Sequence, residues 1–386
     1  MKILFICQEY ELNLPRSARV KAFCERKAIH EVHVMHFKSS ASDIDLVSAM
    51  PLSVPMFLKY TVFRDFCNTR SQVYLIDKMV GVLIRILLNF IKVDKWEWLQ
   101  NQILNKLDGH QFSHIIISVA PFSNYLLAQK IRSRGGAAKL ILDIGDPLSN
   151  NPGLDKGIKV DLDRYEWEGI SAADSLVVTN NNTAAFFRNN FSYGKEISIL
   201  PNGFKTSDKM FPTEVAVKFD EVRAIYAGAI YETLRPIKPL LRAFSKLGPK
   251  TQIQVVSNLE HEIKGENIKW TGRLSQNELV TYYEKSNLFI YIDNNRGIQT
   301  SSKIYELLAF GLPILFVYDF ESENYNFAKN FKWVHFVNND ETSIYNYLTG
   351  HICGKELIYF PDYQLVQKYE WTELAKCYYQ KLEEMD

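Results

Sequence analysis

Two apolar patterns alternate along this chain. Short continuous runs at 3–7 and 31–37 bracket a stretch at 16–27 in which apolar residues return at helical spacing. Continuous runs bounded by turn residues suit strands buried on both faces of a parallel sheet. Between about 40 and 110 the pattern changes to that of a helical insertion. The alternation then resumes with a strand at 114–119, a helix at 122–134 and a strand at 139–144. Runs at 172–179 and 197–203 close this half, and 201–222 is polar and poorly periodic, as a junction would be. The second half repeats the theme with a strand at 222–227, a helix near 235–247 and a strand at 288–292, and a last helix is predicted over 362–384. The expectation is an α/β chain of two β-α-β halves.

The run Ile298-Gln-Thr-Ser-Ser-Lys-Ile-Tyr-Glu-Leu-Leu-Ala-Phe-Gly-Leu-Pro-Ile-Leu315 is the most informative local signal. Ser301 or Ser302 can cap a helix. Gly311 ends that helix in a left-handed conformation, and Pro313 opens an apolar strand. The helix start brings together a hydroxyl, Lys303 and exposed backbone N–H groups, which is a site for phosphate. Glu306 lies about one turn further in, where the sugar hydroxyls of a diphosphate ligand would fall. The plain alternative is an ordinary helix–strand unit with Glu306 favouring the helix dipole. Ser302 to Glu306 is one residue too long for a capping box, whereas Ser275-Gln-Asn-Glu278 fits one.

This run resembles the nucleotide-sugar signature of GT-B glycosyltransferases of the family 4 type. The resemblance implies that Ser302 and Lys303 meet the donor diphosphate and Glu306 the donor ribose. Ile298 stands where many members carry a second glutamate. Ser118-Val-Ala-Pro-Phe-Ser123, Val93-Asp-Lys-Trp-Glu-Trp98, Asp143-Ile-Gly-Asp-Pro147 and Pro201-Asn-Gly203 are similar to further elements of the family. In the third, Gly145 and Leu148 replace an expected Arg and Trp, leaving Asp143 and Asp146 as acceptor-side candidates. Read alone, both aspartates also suit turn chemistry. Arg235 falls where the family places a diphosphate lysine. Gly228, after a predicted strand, leaves space for a ligand or makes a tight turn. The implied architecture is two Rossmann-like domains facing a cleft. They cover 1–203, with the insertion at about 40–110, and 204–361, and a helix at 362–386 crosses back to the first domain.

Composition narrows the field. The chain has 386 residues and a net charge of +1, with 23% charged residues, so nothing favours a nucleic-acid partner. Its five cysteines are scattered, which fits a reducing compartment better than a disulfide framework. No glycine precedes Gly81, so a Gly-rich dinucleotide loop cannot follow the first strand. Arg16, Ser17 and Arg19 occupy that place. His33 and His36 point to opposite faces of a strand, which breaks up a three-histidine metal face with His30. No apolar run reaches the roughly 20 residues of a membrane span. The stretch 56–95 is basic, aromatic and amphipathic; it reads either as a surface for anionic membrane or as core helices with snorkelling lysines and arginines.

The resemblance implies a glycosyltransferase, and the composition and the stretch 56–95 add the expectation of a cytoplasmic protein, peripheral on the inner face of the cell membrane. By the resemblance, it would move a sugar from a nucleotide sugar to a saccharide or lipid-linked saccharide, in surface polysaccharide synthesis. No cofactor or metal is expected, and retention is the family expectation. The catalytic candidates are Asp146, Lys303 and Glu306. The donor-binding candidates are Gly228, Arg235, Ser301, Ser302, Lys303 and Glu306, and the acceptor-side candidates are Arg16, Ser17, Asp143 and Asp146. The alternatives are a nucleotide-sugar epimerase on the same fold and a scaffold subunit without activity.

Overall fold

A computed structural model describes residues 1–8, 10, 15–25, 30–37, 48–52, 94–151, 161–207, 210–257 and 259–384. The chain forms two compact units. One is Met1–Leu200 with Leu382–Asp386, and the other is Pro201–Lys381.

Among its described residues the first unit has seven parallel strands: β1 (Lys2–Ile6), β2 (Glu31–Phe37), β3 (Ser48–Leu52), β4 (His114–Ser118), β5 (Lys139–Ile144), β6 (Ser175–Val178) and β7 (Glu196–Ile199). Their order is β3-β2-β1-β4-β5-β6-β7. Every residue of β4 is buried, as its unbroken Ile115-Ile-Ile117 demands of a central strand. Ile117 and Leu142 pack in one core with Tyr125 and Leu127 of the helix Asn124–Ser133 and Ile170 of the helix Leu162–Ala172. Burying each aliphatic side chain of this kind contributes about 1.5–3 kcal/mol. The two helices approach closely because Gly169 has no side chain; a Cβ there would lie 2.5 Å from Tyr125.

The second unit holds β8 (Val215–Lys218), β9 (Val222–Ala227), β10 (Thr251–Val256), β11 (Ile268–Thr271), β12 (Leu288–Ile292), β13 (Ile314–Tyr318), β14 (Val334–Asn338) and β15 (Glu356–Tyr359). Six of them form a parallel sheet in the order β11-β10-β9-β12-β13-β14, and β15 pairs antiparallel with β8. The expected α/β class, with two Rossmann-like sheets, is the observed one.

Three expectations need correction. The region 40–110 is not wholly helical, because β3 lies within it and pairs with β2 at the edge of the first sheet. Its described carboxyl part is helical, with a 3₁₀ turn Lys95–Leu99 and the helix Gln100–Leu107. The helix expected from 235 begins at Lys238. The last helix is two pieces, Gln364–Gln367 and Trp371–Glu384. They are interrupted because Phe204 pairs with the backbone there, donating to Tyr369 O at 3.1 Å and accepting from Trp371 N at 3.0 Å. The amphipathic stretch 56–95 lies almost entirely outside the described residues.

Candidate functional site

Open parallel sheets take ligands beyond the carboxyl ends of their strands, where the strand order reverses. In the second unit the reversal lies between β9 and β12, neighbours whose chains continue to β10 on one side and β13 on the other. Gly228 is the first residue past β9. A Cβ there would stand 3.1 Å from the Tyr226 hydroxyl, which donates to Ala229 O at 3.1 Å, so the turn closes tightly. Arg235 then folds back on Tyr231, its N–H donating to Tyr231 O at 2.6 Å. Arg235 Nε donates to Asn294 Oδ1 at 2.6 Å, and Asn294 Nδ2 donates to Gln299 O at 2.9 Å. These two bonds tie the turn after β9 to the loop after β12. Burial raises the Tyr226 phenol to about 12 against the opposing pull of Arg235.

Asp293 anchors the same loop from below. It is buried and accepts from Tyr291 Oη at 3.2 Å, from Asn324 Nδ2 at 3.3 Å and from the Ser322 hydroxyl. Burial raises its carboxyl above the usual range despite those donors. The loop then enters the helix Lys303–Phe310. Ser302 is its N-cap residue, yet its hydroxyl makes no capping bond, because its backbone is already helical (φ −69°, ψ −13°). A side-chain cap requires an extended backbone. Ser301 Oγ instead accepts from Lys303 N at 3.4 Å. At the other end Gly311 is left-handed, with φ 71°, as expected.

Lys303 and Glu306 meet. Nζ donates to Oε2 at 2.7 Å, with the ammonium 5.5 Å from the centre of the buried Tyr283 ring. The lysine side chain is 26% exposed and the glutamate 11%. Burial works against the charged lysine, but Tyr283 and Glu306 outweigh it and hold its pKa above the ordinary value. The two residues that the resemblance gives to separate parts of a ligand are therefore bonded to each other.

Residues distant in sequence hold this helix at both ends. Tyr359 Oη donates to Gly311 O at 2.6 Å, Phe211 N donates to Ala309 O at 2.7 Å, and the Tyr369 ring stacks on Tyr305 with centroids 4.1 Å apart. The Tyr363 hydroxyl occupies the space a Cβ of residue 311 would need, 2.0 Å from it.

In the first unit the reversal lies between β1 and β4. Gln8 and Asn124, both buried, join across it through two side-chain bonds of 2.6 and 2.9 Å. Sequence reasoning missed both; an isolated Gln and Asn carry no motif. Of the acceptor-side candidates, Ser17 is buried and Arg16 lies in the first turn of the helix Pro15–Glu25. Asp143 is interior, accepting from the buried Arg19 Nε at 2.9 Å, while Arg19 Nη1 donates to Leu200 O at 2.7 Å. That places Asp143 in a structural ion pair. Asp146 is exposed. Its loop is held by Glu166, a buried carboxylate that accepts from Leu148 N at 2.7 Å, Ser149 N at 3.0 Å, Ser149 Oγ at 2.6 Å and Tyr125 Oη at 2.6 Å. Asp94 accepts from Trp96 N at 2.9 Å and Ser123 N at 2.7 Å, which fixes the start of the helix Asn124–Ser133. Among the described residues no group of three or more His, Cys, Asp or Glu side chains is arranged to hold a metal ion.

No protein-family model matches the chain, and no curated protein matches it. Solved structures do. The sucrose-phosphate synthase from Thermosynechococcus elongatus superposes with a TM-score of 0.65 at 13% identity, covering 100% of this chain and 99% of that one. The catalytic domain of starch synthase IV from Arabidopsis thaliana, bound to ADP and acarbose, gives 0.65 at 11% identity over 98% of each chain. The lipopolysaccharide outer core galactosyltransferase WaaB gives 0.59 at 11% identity over 100% of both. The fold of the described residues is the GT-B fold of these structures.

Proposed function

We propose that this protein is a glycosyltransferase whose second unit binds a nucleotide-sugar donor. One observation carries the reading. The reversal of strand order in the second sheet places the loop bearing Arg235 beside the loop that ends in Ser301, Ser302 and the start of the helix Lys303–Phe310. Transfer breaks the bond between the anomeric carbon and the donor diphosphate. Negative charge grows on the leaving diphosphate while the sugar becomes oxocarbenium-like. Fixed positive groups at that end lower the barrier. Here they are the helix amino end, Lys303 and Arg235. Glu306 receives the donor ribose hydroxyls, and Gly228 keeps the turn after β9 close to the site.

The acceptor, a saccharide or lipid-linked saccharide, is assigned to the first unit, where Arg16, Ser17 and Asp146 are the candidates. Asp143 supports them from the interior. In a retaining course the leaving phosphate takes the acceptor proton, and no protein base is required. In an inverting course Asp146 takes it. A role in surface polysaccharide synthesis is favoured by the fold shared with a lipopolysaccharide galactosyltransferase.

A donor screen with mass detection of the product tests the proposal, alongside titration with uridine and guanosine diphosphates. A glycosylated acceptor is the expected result. An isomerised donor would instead indicate an epimerase. Binding of neither diphosphate would leave only the scaffold reading.

A further inference from the structure

A carboxylate stands at the end of β12, where an apolar residue would be easier to bury. Asp293 is 2% exposed, and burial raises its pKa. Burying such a group costs free energy that its hydrogen bonds only offset, so it contributes direction more than stability. Its donors have one possible polarity. Asn324 Nδ2 donates to Tyr291 Oη at 2.7 Å and to Asp293 Oδ1 at 3.3 Å, so the phenol gives its own proton to Asp293, at 3.2 Å. Ser322, the N-cap of the helix Glu323–Ala328, accepts from Tyr325 N at 3.0 Å, and its proton goes to Asp293. One acceptor thus orders every donor around it. The chain leaving Asp293 becomes the loop 294–302, in which Asn294 holds Arg235 and Gln299. Burial and Asp293 raise the Tyr291 phenol, and Arg235 and Ser301 act on it in the opposite sense. The network therefore meets the loop at its start, through Asp293, and near its end, beside Ser301.

We infer that Tyr291, Asp293 and Asn324 are positioning residues whose buried hydrogen-bond pattern holds the loop 294–302 in its binding path before any ligand arrives. None of the three touches the donor. This rests on the nucleotide-sugar reading above and adds to it that donor affinity is set from beneath the site. A loop that keeps its path only about one-tenth of the time binds its ligand about tenfold more weakly, and saturating ligand restores the path. The signature of positioning is then a raised donor KM at a nearly unchanged kcat.

The test uses the full chain. Asp293→Asn keeps the shape but turns an acceptor into a donor amid donors. The Kd of a labelled nucleoside diphosphate (uridine or guanosine, whichever binds) and the donor KM should rise about tenfold, with kcat changed less than about twofold. Amide hydrogen exchange over 294–302 should speed up in the ligand-free protein. Tyr291→Phe, which keeps the ring against Phe316 at 4.8 Å between centroids, should act alike and serves if Asp293→Asn misfolds. The double variant Asp293→Asn, Asn324→Asp carries the carboxylate across the pair. The amide at 293 then donates to the carboxylate at 324, Tyr291 turns its proton the same way, and affinity should return to within about threefold of native. Unchanged KM and exchange in a folded single variant, a fall in kcat at constant KM, or a double variant no better than Asp293→Asn overturns the positioning role and leaves the donor site in place. If the native protein binds neither diphosphate, the donor reading fails and the positioning role fails with it.

Discussion

Two charged pairs separate roles that the sequence leaves together. Lys303 lies at a helix start and is paired with Glu306. Lys303→Ala should reduce donor turnover by about 10²-fold, the loss typical of one charge-stabilising donor. Steady-state kinetics at fixed acceptor reads this, and an unchanged rate would remove Lys303 from the site. Asp143 sits in the interior with Arg19. Asp143→Ala leaves the guanidinium buried without its carboxylate and should destabilise the protein by about 3–5 kcal/mol, read as a lower urea midpoint. Wild-type stability would make the pair dispensable. The sequence presented Asp143 and Asp146 as equals, since both flank one turn after a strand. Burial distinguishes them, and burial there depends on Arg19, more than a hundred residues earlier. The clamp by Glu166 was hidden for a similar reason: its partners Tyr125, Leu148 and Ser149 share no motif with it.

Among elements, the central strands were legible because strands buried on both faces need unbroken apolar runs, and β4, β12 and β13 have them. β3 was not. Ser-Ala-Met-Pro-Leu lacks β-branched residues and carries Pro51, which only an edge strand accepts. The break before Trp371 was equally unreadable, since its cause is Phe204, far away in the chain. The helix Lys303–Phe310 was legible down to Gly311, because its stop signal is local. Its start was less so, since the backbone at Ser302 turns helical one residue earlier than a serine cap permits. β14 adds a pH dependence. His335 accepts or donates one bond at Nδ1, 2.9 Å from the Tyr347 hydroxyl, and burial, helped by His351, lowers its pKa. The folded state therefore resists a proton that the unfolded chain takes up near pH 6.5. Stability should be unaffected above that pH and should fall as pH drops below it. Thermal unfolding between pH 7 and 5.5 should show a smaller loss in His335→Gln than in the native protein; an equal loss would exonerate His335.

At the scale of the molecule, charge balance and the lack of a long apolar helix among the described residues set the terms for any membrane contact. The stretch 56–95 should bind vesicles containing anionic lipid, and added salt should weaken that binding, because exposed charges act over a Debye length of about 8 Å at physiological ionic strength. Co-sedimentation measures it, and equal partitioning onto neutral vesicles would show that the basic residues play no part.

The grip of Tyr359, Tyr363 and Tyr369 on the helix Lys303–Phe310 bears on how the gene can be divided. The tail past residue 358 contributes no candidate contact to a nucleotide, so it invites removal. A truncated chain stopping there would lose the aromatic buttress of the helix Lys303–Phe310, and a cut near 360 would loosen that helix without touching any residue proposed to bind the donor.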